Sequence, residues 1–416
     1  MAETKRIVIL MADAGFGHRS AAQALAAALR GLYGEQCSVE IVNPMDDERV
    51  PGLLRGTQTN YDRLVREMPG LYRASYEMSD AAVPSAVAGG ALAAGLFETL
   101  RDIVHSHQPD AIISVHPQYL APLAAVFSRD RRHIPVATVV TDLVTVHHLW
   151  FNKVSDVCLV ATEEAQQVAV RDGLPAEKVK ITGIPVNPQL SQDTRPPAAI
   201  RAELGWQPDL ATVLVAGSKR TENTLDVLHA LNHSGLPVQL AVVAGGDDEL
   251  YRRLQYTEWH RVAHVYNFVD NMPTLLRAAD CVLAKAGGLI VSEALACGRP
   301  LLLAGVIEGQ ETGNASYVVE HGAGEMAKDP VAAMEILCHW LDHDGLLLRE
   351  RTEKAIAIGR PRAAYEIAEQ VWALAQKGPA PLPENRRIAL PKNRAGLIGK
   401  DAAEKDNPGG TNDPAN

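Results

Sequence analysis

The strongest constraint on how this chain can fold is a rhythm. Short apolar runs of strand length alternate with amphipathic helical stretches, and the alternation is interrupted once. Candidate strands lie at residues 7–12, 39–42, 111–115, 136–141, 157–161 and 178–182, with helical patterns at 20–32, 92–107, 117–127 and 163–172 between them. Runs apolar on both faces and separated by helices imply a parallel sheet covered on both sides. Then come Ile184-Pro185-Val186-Asn187-Pro188 and Arg195-Pro196-Pro197. Prolines at that density forbid a helix or a central strand, so a linker is expected there. A second series follows, with strands at 212–216, 238–244, 262–268, 281–284 and 300–304 and helices at 224–233, 247–255, 274–279 and 290–297. Residues 331–342 and 362–376 read as long closing helices, and from Gly378 onward Pro, Gly, Asn, Asp and Lys dominate, the mark of a disordered tail. The expected fold class is α/β: two Rossmann-like, doubly wound parallel-sheet domains facing a cleft, over residues 1–190 and 191–377, with a tail over 378–416. Ligands of such sheets bind beyond the carboxyl ends of the strands, which places the site in the cleft.

Composition narrows the classes further. At 416 residues the chain is too long for one compact core, and 47% apolar with 22% charged residues excludes wholesale disorder and collagen-like repeats. A net charge of −10 argues against a nucleic-acid partner. Cys37, Cys158, Cys281, Cys297 and Cys338 show no CxxC spacing and read as buried thiols of a reduced compartment, with neither disulfides nor a zinc site. The apolar run at 7–12 is shorter than a secretory signal core, and the longest uncharged stretches, 81–97 and 111–128, fall short of the ~20 residues a span needs. A cytoplasmic protein without a transmembrane helix is the expectation.

Three strings carry chemistry. The first strand runs into Asp13-Ala14-Gly15-Phe16-Gly17-His18-Arg19-Ser20 and then a helix. Gly15 and Gly17 allow tight turns, and the helix N-terminus offers unpaired amides. As a dinucleotide loop it lacks the third glycine. His18, in the first helical turn, sits in a positive potential that keeps it neutral and able to accept a proton; a local packing role is the alternative. Farther on, Thr141-Asp142-Leu143 ends an apolar strand with a carboxylate, either aimed into the cleft or capping the next turn. The richest string, Lys285-Ala286-Gly287-Gly288 through Ser292-Glu293-Ala294-Leu295, reads as strand, glycine turn and helix. Amides at Gly288 and beyond can cradle a diphosphate, and Glu293 can accept ribose hydroxyls. Gly245-Gly246-Asp247-Asp248-Glu249 reads as a helix cap, and adjacent His147 and His148 make a poor ligand pair, so no metal is expected.

The residues from Gly15 to Ala22 resemble the G-G-G-H-R-x-S-A opening of the diacylglycerol glycosyltransferases. That family includes monogalactosyldiacylglycerol synthases and processive diacylglycerol glucosyltransferases, relatives of the N-acetylglucosaminyltransferase that makes lipid II. The resemblance runs from about Arg6 to about Gln376. It implies a GT-B fold with an acceptor- and membrane-binding domain over 1–190 and a nucleotide-sugar domain over 191–377, whose last helices can pack back on the first. The Thr141-Asp142-Leu143, His147 and Trp150-Phe151 element resembles V-T-D-L…H…W-F, implying Asp142 as base candidate and His147 as a cleft residue; Asp142 is favoured as base with His18 assisting, the reverse staying open, and Gly15, Gly17, Arg19 and His147 are expected on the acceptor side. Residues 285–295 resemble K-x-G-G-x-T-x-x-E-A-L, with Ile290 where Thr is usual, implying donor contacts from Lys285, Gly287, Gly288, Leu289 and Glu293. Residues 308–314 resemble P-G-Q-E-x-x-N, with Glu308 in place of Pro, implying that Gln310, Glu311 and Asn314 read the hexose. Phe268 and Val269 lie in a segment similar to the one that pairs with uracil. Where the family opens its second domain with a glycine-rich loop, only Gly217 remains, followed by Ser218, Lys219 and Arg220, whose charges can replace backbone amides on the phosphates.

The resemblance implies an inverting hexosyltransferase moving galactose or glucose from a UDP-sugar to a lipid hydroxyl, that of 1,2-diacylglycerol by expectation. It would need no cofactor and no metal, and would work on the inner face of the cell membrane. Its partners would be a UDP-hexose and a membrane lipid. Residues 53–97, with Tyr61, Arg63, Arg66, Met68, Leu71, Tyr72, Arg73 and Tyr76, suit that membrane contact. Three alternatives remain open: transfer of GlcNAc from its UDP form to a lipid diphosphate, UDP-sugar 2-epimerisation, and a non-catalytic nucleotide-sugar sensor.

Overall fold

The computed structural model describes residues 3–13, 16–55, 82–217, 224–307, 309 and 311–382. Two six-stranded sheets form, every strand in each parallel to its neighbours. The first contains β1 (Lys5–Leu10), β2 (Cys37–Val42), β3 (Ala111–Ser114), β5 (Val136–Val139), β6 (Val157–Val160) and β7 (Val179–Ile181), ordered β2-β1-β3-β5-β6-β7. The second contains β8 (Ala211–Ala216), β9 (Val238–Val243), β10 (Val262–Tyr266), β11 (Cys281–Ala284), β12 (Leu301–Leu303) and β13 (Gly324–Met326), ordered β10-β9-β8-β11-β12-β13. Five inner strands, β3, β5, β6, β9 and β11, are buried at every position, as two-sided apolar runs must be when helices cover both faces.

Each sheet reverses its strand order once. The reversal falls between β1 and β3 in the first and between β8 and β11 in the second, and a crevice opens beyond the strand ends at such a point. Helix ends obey local chemistry. Thr162 Oγ1 accepts from the amide of Ala165 to start the helix Glu163–Arg171, and Asp247 Oδ1 accepts from Glu249 and Leu250 as the expected cap of Asp248–Gln255.

The sequence expectations need several corrections. The proline-dense linker holds a one-turn helix, Gln189–Gln192, whose Leu190 is buried together with Ile184 and Val186. The helix expected from 92 begins at Ala82. The one expected to end at 342 resumes after a break over Asp342, His343, Asp344 and Gly345 and runs to Ile358. The last helix, Ala363–Lys377, returns to the first sheet: Ile367, Val371 and Leu374 enter its core, and Trp372 stacks on Tyr33 at 4.1 Å. The expected tail holds a short strand at its start, where β14 (Ala380–Pro381) pairs antiparallel with β4 (Arg132–His133); residues from 383 onward lie outside the described ones. Of the cysteines, Cys297 is partly buried and Cys338 exposed, contrary to expectation.

Candidate active site

The first crevice is laced together by His18. Its Nδ1 lies 2.7 Å from the carbonyl oxygen of Val115, which follows β3, and 3.1 Å from Oγ1 of Thr141, which follows β5. A carbonyl only accepts, so Nδ1 carries a proton, and in the neutral form of the ring Nε2 is the basic nitrogen. The buried His116 ring meets His18 edge-on at 4.8 Å, and burial, then His18, holds the His116 imidazole well below its usual range. Asp142, next to Thr141, accepts a 2.7 Å bond at Oδ2 from the indole N–H of Trp150, a side chain sunk in the first lobe. His147 caps a single 3-10 turn, its Nδ1 accepting from the amide of Leu149, while His148 pairs with Asp172. Arg19 is exposed and forked onto Asp13, so it presents a neutralised pair.

The second crevice is built mostly from backbone. Gly217 follows β8 and donates its amide to Val243 at 2.8 Å. Lys285 follows β11, Gly287 caps the helix Gly288–Ala296, and Gly288 opens it. The Glu311 carboxylate is buried, 6% exposed, and already engaged: one oxygen pairs with Lys285 Nζ and the other accepts from the amide of Ile307 at 3.0 Å. Asn314 donates to the carbonyl of Ala286 at 2.9 Å, and its Oδ1 is buried without a partner. Glu311 and Asn314 therefore clamp the glycine turn from behind. Glu293 is buried at 9% exposure, and desolvation pushes its carboxyl up to about 7. A carboxyl in that state suits hydroxyl donors that would favour its ionised form. Phe268 stands 55% exposed, followed by Val269, at the end of β10.

These two sets meet. The Cα of Gly288 comes so close to the first lobe that a Cβ there would lie 2.9 Å from the carbonyl oxygen of Thr141, and a Cβ on Gly17 would be 4.0 Å from that of Leu289. The imidazole, the carboxylate and the glycine turn thus border one cleft. Gly15, Ser218, Lys219, Arg220 and Gln310 lie outside the described residues, as does residues 56–81 of the expected membrane-contacting stretch. Sequence reasoning left Thr141, His116 and Trp150 without roles, although Thr141 and Trp150 stand in the very strings that drew attention to Asp142.

Two doubly wound lobes facing each other across such a cleft define a GT-B protein. Solved structures agree on the fold: Acinetobacter baumannii MurG matches with a TM-score of 0.57 at 15% identity, covering 89% of this chain and 99% of that one. A UDP-GlcNAc 2-epimerase from Neisseria meningitidis, solved bound to UDP-GlcNAc, matches at 0.58 and 15%, covering 90% and 100%. The family model for monogalactosyldiacylglycerol (MGDG) synthase matches residues 18–186, and that for the glycosyltransferase family 28 C-terminal domain matches 213–370. Monogalactosyldiacylglycerol synthase 1 of Arabidopsis thaliana is 31% identical over 391 residues, 90% of this chain and 72% of that protein. The Spinacia oleracea enzyme is 31% identical over 391 residues, 90% and 73%. The chain belongs to the monogalactosyldiacylglycerol synthase family, and it is a glycosyltransferase.

Proposed function

We propose that this enzyme moves a hexose, galactose or glucose, from a UDP-sugar to the hydroxyl of 1,2-diacylglycerol with inversion, working at the inner surface of the cell membrane. The observation that carries the reading is the contact of Thr141, beside Asp142 and His18, with Gly288 at the start of a helix. Attack and departure occur on opposite faces of one sugar carbon, so the base and the diphosphate grip must share a cleft. The relatives' names supply the acceptor. Among the described residues no helix is long and apolar enough to cross a membrane, which fits an enzyme that meets its lipid at the bilayer surface.

The geometry supports the following roles. His18, with its Nδ1 proton committed to Val115, offers Nε2 to the acceptor hydroxyl, and this hydrogen bonding favours it over Asp142 as the base. Asp142, held by Trp150, orients that hydroxyl and stabilises the imidazolium that forms. Backbone amides at the start of Gly288–Ala296, with Lys219 or Arg220, take the charge of the leaving diphosphate without a metal. Glu293 accepts the ribose hydroxyls, and Phe268 and Val269 border the uracil. The purified protein, incubated with diacylglycerol vesicles and a panel of UDP- and GDP-sugars under mass detection, tests this. A glycosyl-diacylglycerol formed from a UDP-hexose is expected; product without vesicles, or tight UDP-sugar binding with no product, would overturn the reading.

A further inference from the structure

The strand-end segment 141–145 leaves the first sheet but does not stay in the first lobe. Leu143, 5% exposed, belongs to the hydrophobic cluster of the second lobe, among Leu214, Val282 and Val291. Its neighbours remain tied to the first: Asp142 to Trp150, and the Leu143 carbonyl to Thr162 Oγ1 at 2.9 Å. One short segment is therefore pinned in both lobes.

Two glycines receive it. Gly288 is the first residue of Gly288–Ala296 and Gly313 the second of Thr312–Glu320. A Cβ on Gly288 would stand 2.9 Å from Thr141 O. One on Gly313 would overlap Thr145 Oγ1 and lie 3.1 Å from both Thr145 N and Val144 Cβ. Neither glycine has a positive φ, and glycine weakens a helix relative to alanine. What glycine supplies at these places is room, not backbone freedom.

We propose that Gly313, together with Gly288, is a positioning residue for transfer: the missing side chains set how deeply segment 141–145 seats on the second lobe, and so where Asp142 stands relative to the donor turn. The proposal rests on the transferase reading above. A methyl at residue 313 pushes the segment outward, and a displacement of about 1 Å at a reacting centre is worth on the order of a hundredfold in rate.

The experiment compares Gly313→Ala, Thr145→Ala and the double variant, full length, with kcat measured on diacylglycerol vesicles and UDP affinity by calorimetry. Gly313→Ala is expected to lose ~10–100-fold in kcat with UDP affinity within about threefold of wild type. Thr145→Ala, which removes the overlapping hydroxyl from the opposite lobe, is expected to restore most of that loss. A merely structural glycine would show no such rescue across the lobes. If Gly313→Ala does not fold, Thr145→Leu loads the same seam from the other side and should lower kcat alike. Unchanged kcat in these variants, or a folded Gly313→Ala that Thr145→Ala fails to rescue, overturns the proposal. Amide hydrogen exchange of segment 141–145 with UDP present keeps the two readings separable: Gly313→Ala should speed exchange there and the double variant slow it again. That result stands even if wild type transfers no sugar, an outcome that would sink the transferase reading alone.

Discussion

The two lobes use the same topological device and equip it differently. In the first, the crevice between β1 and β3 is bridged by a side chain, His18 reaching the Val115 carbonyl, with Asp142 nearby. In the second, the crevice between β8 and β11 is bordered by backbone: the glycine turn and a helix start, backed by the Lys285–Glu311 pair. Backbone dipoles do not titrate and hold a diphosphate at any ordinary pH, whereas an imidazole and a carboxylate can exchange protons. On the function proposed above, chemistry belongs to the first crevice and grip to the second. Substitutions in the first should then change turnover with donor affinity intact, and those in the second the reverse.

The sharpest attempt to break this division is His18→Gln. Glutamine keeps a donor for Val115 but cannot take a proton, so turnover should fall ~10²–10⁴-fold while UDP affinity measured by calorimetry stays within a few-fold. Asp142→Asn should also lower turnover and spare donor affinity. Loss of UDP binding in either variant would merge the two crevices into one functional unit. On the other side, Lys285→Met leaves the buried Glu311 carboxylate unpaired, a change worth roughly 3–5 kcal/mol of stability by denaturant unfolding. Glu311→Gln added to it should recover much of that, since the amide oxygen still accepts from Ile307. If Glu311→Gln alone instead switches hexose preference with stability unchanged, Glu311 reads the sugar directly rather than clamping the turn.

Much of this organisation is legible in the sequence, and the part that is not has a common cause. Strands such as β3, β6 and β11 stand out because burial on both faces writes an unbroken apolar run. β13, Gly-Glu-Met, is too short and mixed to do so, and the β4–β14 pair spans only two residues with a proline among them. The break at residues 342–345 lies hidden in a helical pattern that resumes after Gly345. In the site, His18, Asp142 and the glycine turn are local strings and can be read directly. The Lys285–Glu311 pair, Leu143 crossing into the other lobe and the fit of Gly313 to Thr145 join segments far apart in the chain, and complementarity of that kind leaves no period or spacing behind.

Glu293 offers a test in which grip and stability oppose each other. Burial raises its carboxyl from 4.5 to about 7, so the folded protein holds a proton that the unfolded chain releases as pH climbs through that window. Stability tied to this group is therefore complete below about pH 4.5 and lost by about pH 7, a penalty on the order of 3 kcal/mol at pH 8. Glu293→Gln removes the penalty: its Tm at pH 8 should exceed that of wild type, and the difference between its Tm values at pH 5 and pH 8 should shrink. If ribose hydroxyls donate to the ionised form, the same variant should bind UDP about tenfold more weakly at pH 8, and wild-type affinity should fall as pH drops from 8 to 6. A variant that is stabilised yet binds UDP normally would remove Glu293 from the donor site and leave it as an unpaired buried acid.

The smallest expected effect probes the first crevice through Trp150. Its indole N–H is a polar anchor of the Asp142 carboxylate, while the ring fills space between His18, 6.4 Å away by centroid, and the first-lobe core. Trp150→Phe deletes the donor but keeps an aromatic ring, so the loss is one hydrogen bond to a charged group, about 1.5–3 kcal/mol if all of it is felt in the transition state. Part of that is recovered because water can solvate the released carboxylate, which places the expected drop in kcat near tenfold, with UDP affinity unchanged. Because Trp150 packs in the first-lobe core, any weakening of UDP binding here would mean that the carboxylate also supports the donor side. The division of labour would then hold for backbone and imidazole, but not for Asp142.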